Sequence, residues 1–189
     1  MSIKLAWNVA RAGGIVAWGL LGLSVIWGLL LSSRLLGRWA ASARLLELHR
    51  WLGALAVIFT GVHLGGLVGD NWLYVGWGQI LVPQASTWRP WAVTWGVVAF
   101  YLLLAVQLSS LCRRFLPTQL WRRVHYCAFP LVLFASLHGA QAGTDATQWI
   151  YQACSVGLLS LIIGLTLVRL AVGRRARRSR QPGRQLAGA

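Results

Sequence analysis

The four histidines of this 189-residue chain fall into two pairs with nearly the same spacing: His63 follows His49 by fourteen positions, and His138 follows His125 by thirteen. On a helix those steps rise about 21 and about 20 Å. Two such helices running in the same direction bring one imidazole from each to two levels, His49 with His125 and His63 with His138. Neutral imidazole is a good axial ligand for haem iron. Two opposed imidazoles saturate the iron and favour electron transfer over oxygen binding. The pattern therefore fits two stacked haem b groups per chain, with His49, His125, His63 and His138 as the metal ligands. A single buried histidine is often only a hydrogen-bonding residue between helices; four in two pairs, with none elsewhere, are better explained as ligands. Zinc or non-haem iron fits less well, because no cysteine lies beside these histidines and the only acids are Glu47, Asp70 and Asp145.

The angular phase is less regular than the rise. At about 100° per residue, fourteen steps return to within about 40° of the starting face, whereas thirteen steps miss it by about 140°. A straight helix would aim His125 and His138 differently. Pro130 lies between them and is expected to kink or locally unwind the helix.

The elements that must hold these residues are apolar and long. Apolar residues make up 57% of the chain and charged residues 11%, against about 25% charged in a soluble domain. Five runs are free of charged residues: 12–33, 51–69, 90–112, 124–144 and 146–168. Each is close to the length of about 20 helical residues that a bilayer core of about 30 Å needs. The expectation is an all-α, polytopic membrane helix bundle of five transmembrane helices, with the two stacked haem sites between helices two and four. The net charge is +15. Arginines cluster in residues 34–50, in 113–123 and from Arg169 onward, and those segments hold fifteen of the eighteen basic residues. The positive-inside rule puts these segments in the cytoplasm and the N-terminus outside, which agrees with an odd number of spans. On this reading the basic charge reports topology and no nucleic acid is bound. The three cysteines are odd in number and form no CxxC pair, which argues against a disulfide framework.

Residues 1–173 are expected to form the bundle and 174–189 a basic, disordered cytoplasmic tail. The aromatic connection at residues 70–90 suits a short interfacial helix able to roof a site beneath it. Arg50 and Arg122, with Arg44 and Arg123, stand near the inner histidines and are candidates for haem propionates; Arg89 is the outer counterpart. Phe59, Phe129 and Phe134 fall between the two levels and suit helix packing better than porphyrin contact.

The stretch His49-Arg50-Trp51-Leu52-Gly53 through His63, with Trp121-Arg122-Arg123-Val124-His125 through Leu137-His138-Gly139-Ala140, resembles the haem helices of the ferric reductase-like transmembrane domain. Ferric reductases, NADPH oxidases and the haem subunit of the periplasmic methionine-sulfoxide reductase system share that domain. The resemblance spans roughly residues 12–170. It implies an electron-transferring oxidoreductase component of the plasma membrane, embedded in the lipid bilayer, with an external electron acceptor. Two departures stand out. The family usually has six spans, and the first has no counterpart here. No GxGxxG motif follows a strand and opens a helix, so the donor is expected to be a separate cytoplasmic flavoprotein or a quinol. A quinol-linked cytochrome b subunit uses a comparable four-histidine plan, and a transporter or assembly factor with structural histidines is the alternative from another class.

Overall fold

Apolar runs long enough to cross a bilayer must satisfy their backbone groups internally, and helices do so. In the computed structural model, which describes residues 3–33, 43–70 and 76–178, every regular element among the described residues is helical. The chain runs α1 (Ile3–Ser32), α2 (Ala43–Val68), the short α3 (Trp77–Leu81), α4 (Pro90–Leu111), α5 (Thr118–Tyr126), α6 (Ala128–Ala142) and α7 (Trp149–Arg178). Four of these, α1, α2, α4 and α7, contain stretches long and apolar enough to cross a membrane. The protein is thus a helical membrane bundle. Large apolar side chains on the outside, such as Trp91, Val156, Ile163 and Leu167, suit contact with lipid.

The expected fourth span, residues 124–144, is not one helix. It divides at Cys127 between α5 and α6. Pro130 has no N–H to give the carbonyl of Tyr126, and its ring crowds that carbonyl. The chain tightens ahead of it: Cys127 N–H bonds to the Val124 carbonyl at 2.9 Å, and regular helix resumes with Leu131 N–H on the Cys127 carbonyl at 3.0 Å. The break falls between His125 and His138, where the angular mismatch required it. At the C-terminal end, α7 continues to Arg178; residues 179–189, the rest of the expected tail, lie outside the described residues. In the connection before α4, the described part holds α3, and Ile80 on it is buried.

Two antiparallel hairpins, with α7 packed against α1, form the bundle. In the first, small residues let α1 and α2 approach closely, a packing mode common between membrane helices. A Cβ on Gly66 would lie 2.6 Å from the Ala10 nitrogen, and one on Gly13 would lie 3.0 Å from the His63 nitrogen. The second hairpin sets α4 against α5 and α6. Pro90 opens α4 at its first turn, where its missing N–H costs nothing. Between the histidine levels, the two hairpins meet through Leu21, Ala56, Leu103 and Leu131, all buried. Leu21, Ala56 and Leu103 come from α1, α2 and α4, and Leu131 from α6. Phe129 and Phe134 pack against this layer, and Phe134 stacks on Trp95 with ring centres 5.2 Å apart.

Candidate functional site

Each histidine is placed by the helix that carries it and oriented by a helix beside it. The His49 and His125 ring centres lie 6.0 Å apart with planes inclined at 72°. The His63 and His138 centres lie 6.2 Å apart at 76°. The structure thus brings together the same two pairs that parallel α2 and α5–α6 imply.

At three of the four rings, Nδ1 faces a backbone carbonyl. His63 Nδ1 is 2.7 Å from the Ala10 oxygen, His138 Nδ1 2.8 Å from the Ala92 oxygen, and His49 Nδ1 3.0 Å from the Ser24 oxygen. A carbonyl only accepts, so Nδ1 carries the hydrogen. In the neutral ring this leaves the Nε2 lone pair for a metal, the usual arrangement behind a ligating histidine. His125 Nδ1 instead meets the Ser110 hydroxyl at 3.5 Å, and its ring stacks on Trp121 with centres 5.1 Å apart.

Glycines on the neighbouring helices make room for the rings. A Cβ on Gly14 would approach His63 Nδ1 to 2.9 Å, one on Gly96 would approach His138 Nδ1 to 2.8 Å, and one on Gly28 would approach His49 Cε1 to 3.1 Å. These glycines escaped the sequence reading. A signal was nonetheless present: the step from Gly14 to Gly28 equals the step from His49 to His63.

A cavity of about 1560 Å³, its open mouth included, reaches from His63 and His138 down to Leu21 and Leu131. Its lining is almost wholly apolar, with Ser86 and Trp88 from the connection before α4 contributing to it. That connection does border the site, as a roof would. Arg11 and Asp145 also line the cavity and form a two-pronged ion pair between α1 and the turn after α6. The charge pattern put both residues on the same side of the membrane but did not reveal this contact.

The candidate arginines lie at the ends of the bundle. Arg50 is exposed one residue after His49. Arg122 is exposed and approaches the Tyr126 hydroxyl at 3.4 Å. Arg89 bonds to the Gln141 carbonyl and lies over Trp88, so its guanidinium is engaged at the rim. Among the described residues, no three His, Cys, Asp or Glu side chains converge on a point.

A family model for the ferric reductase like transmembrane component matches residues 13–136. The match takes in His49, His63 and His125 and ends two residues before His138. No curated protein and no solved structure matches the chain.

Proposed function

The chain belongs to the ferric reductase like transmembrane component family, and from that premise we propose that it carries electrons across the cytoplasmic membrane through two bis-histidine haem b groups. The paired imidazoles support this reading most directly. A metal–imidazole bond of about 2.0–2.1 Å and a ring radius of about 1.1 Å put the centres of two imidazoles on opposite sides of one ion about 6.2–6.4 Å apart. The observed separation of 6.2 Å at the His63–His138 level falls in that range, and that of 6.0 Å at the His49–His125 level lies just below it. Two side chains alone under-ligate a metal, and a haem held by His49 with His125, and another by His63 with His138, would supply the rest of the coordination. The apolar cavity and the glycines behind the rings suit such a group.

Bound haem supplies reversible one-electron chemistry. The chain's own residues position, separate and insulate. The carbonyls of Ala10, Ser24 and Ala92 fix three ring tautomers. The layer of Leu21, Ala56, Leu103 and Leu131 keeps water from passing between the levels. In this reading α5 and α6 together make the fourth of five crossings, and the arginine-rich end, with the His49–His125 pair, faces the cytoplasm. Arg50 and Arg122 serve haem propionates there, and a separate flavoprotein or quinol supplies electrons for an external acceptor.

The test is spectroscopic. Protein purified from haem-replete cells should show reduced haem b bands, with a pyridine haemochrome ratio of two per chain. A colourless preparation would overturn the proposal.

A further inference from the structure

Four positions on α1 and α4 back the four histidines, and three of them follow one rule. Ala10 and Gly14 serve His63, Ser24 and Gly28 serve His49, and Ala92 and Gly96 serve His138. In each case the accepting carbonyl lies four residues before the glycine. A helical carbonyl already accepts from the N–H four residues on. With no Cβ at that later residue, a second donor can reach the same oxygen. The same fourteen-position step along α4 leads from Ala92 and Gly96 to Val106 and Ser110.

Ser110 breaks the rule. Its hydroxyl donates to the Val106 carbonyl at 2.7 Å, and together with the Ser109 hydroxyl, which donates to the same carbonyl at 3.0 Å, it occupies the oxygen that an imidazole would use. His125 Nδ1 is left with the Ser110 oxygen at 3.5 Å, which Trp121 Nε1 also approaches at 3.5 Å. The fourth imidazole therefore has the longest and most shared acceptor of the set.

We propose that Ser110 is a positioning residue that weakens the hydrogen bond behind His125 and so raises the reduction potential of the haem held by His49 and His125. This rests on the haem reading above. A strong bond from Nδ1–H to a carbonyl increases the ligand's basicity and stabilises the oxidised metal. The weaker bond behind His125 leaves that metal easier to reduce.

Optical redox titration of the purified full-length chain tests this, with His125→Ala identifying which spectral component belongs to this level. Ser110→Gly, made on a Ser109→Ala background because the Ser109 hydroxyl donates to the same oxygen at 3.0 Å, clears the path to the Val106 carbonyl. It should shift that component's reduction equilibrium about tenfold toward the oxidised form, or about 59 mV downward for one electron. Ser110→Ala keeps the blocking Cβ and removes the hydroxyl, so it should not lower the potential. The component assigned to His63 and His138 should stay in place in both variants. Unmoved potentials in haem-replete Ser110→Gly, equal shifts of both components, a downward shift in Ser110→Ala, or loss of this haem in Ser110→Gly would each overturn the role of Ser110 alone. Absence of haem from the unsubstituted protein would overturn the electron-transfer reading, and this inference with it.

Discussion

At the His63–His138 level, both imidazoles rest on backbone carbonyls at 2.7 and 2.8 Å, and glycines from α1 and α4 stand behind them. At the His49–His125 level, one ring has a carbonyl at 3.0 Å and the other a serine hydroxyl at 3.5 Å, with Trp121 stacked alongside. The first level is set by main chain and opens on an apolar cavity. The second depends more on side chains and lies among arginines. Backbone acceptors cannot be exchanged by point mutation, whereas side-chain acceptors can. The two ends of one histidine plan therefore differ in how readily their chemistry can be tuned.

The largest effect should come from removing ligands. His63→Ala or His138→Ala should halve the haem content while leaving the component held by His49 and His125. His49→Ala or His125→Ala should do the reverse. Haemochrome assay with reduced-minus-oxidised spectra distinguishes the two losses. If His49→Ala and His138→Ala removed the same spectral species, the pairing seen in the structure would not be the ligand pairing.

A slightly smaller loss is expected from filling the space behind a ring. Gly96→Val puts a Cβ within 2.8 Å of His138 Nδ1, closer than packed atoms tolerate, so the ring or α4 must move. Haem content should fall toward one per chain, with the surviving component that of the arginine-rich level. Retention of both haems with unshifted potentials would show that the glycine is not what admits the ring.

Much of this arrangement was legible in the sequence, because rise along a helix is nearly fixed. The steps from His49 to His63 and from His125 to His138 specify two levels whatever the side chains between them. Phase is less secure, since one proline can rotate everything beyond it. The spacing of His125 and His138 exposed the mismatch, and Pro130 indicated where it would be relieved. Pro130 pointed to an interruption of the fourth run, but that the helix would end at Tyr126 and restart at Ala128 was not readable, because run length alone does not show where hydrogen bonding changes from one pattern to another. The glycine and carbonyl supports were missed because they belong to other helices and have no chemistry of their own. Arg11 with Asp145 was missed for a related reason: they are far apart along the chain, and only the packed bundle brings them together.

Pro130→Ala addresses the phase directly. With an N–H at 130, the Tyr126 carbonyl regains its partner and the helix is able to run on through Cys127. A straight helix would turn His125 away from the direction of His138 by about 140°. His125, with its weaker acceptor, should yield before His138. Occupancy of the His49–His125 level should drop while the other is retained. Equal loss at both levels would mean that the break serves overall packing rather than ligand direction.

The smallest effect should arise at the rim of the cavity. Arg11 is 46% exposed and Asp145 17%, and pairs this open to solvent are commonly worth less than about 1 kcal/mol. Their two-pronged contact nonetheless ties α1, which carries the acceptor and glycine for His63, to the turn that follows the His138 helix. Breaking it should loosen the cavity-bearing level and leave the arginine-rich level unaffected. Arg11→Ala and Asp145→Ala are each expected to lower the melting temperature by no more than about 2–4 °C, with no change in haem stoichiometry. The double variant should lose little more than either single one, because the second substitution removes a partner already unpaired. Exchange of the charges, Arg11→Asp with Asp145→Arg, should recover part of the loss, and high salt should reduce all these differences. Additive losses in the double variant would show that the two residues stabilise the protein separately, and the rim contact would then have no part in holding the His63–His138 level together.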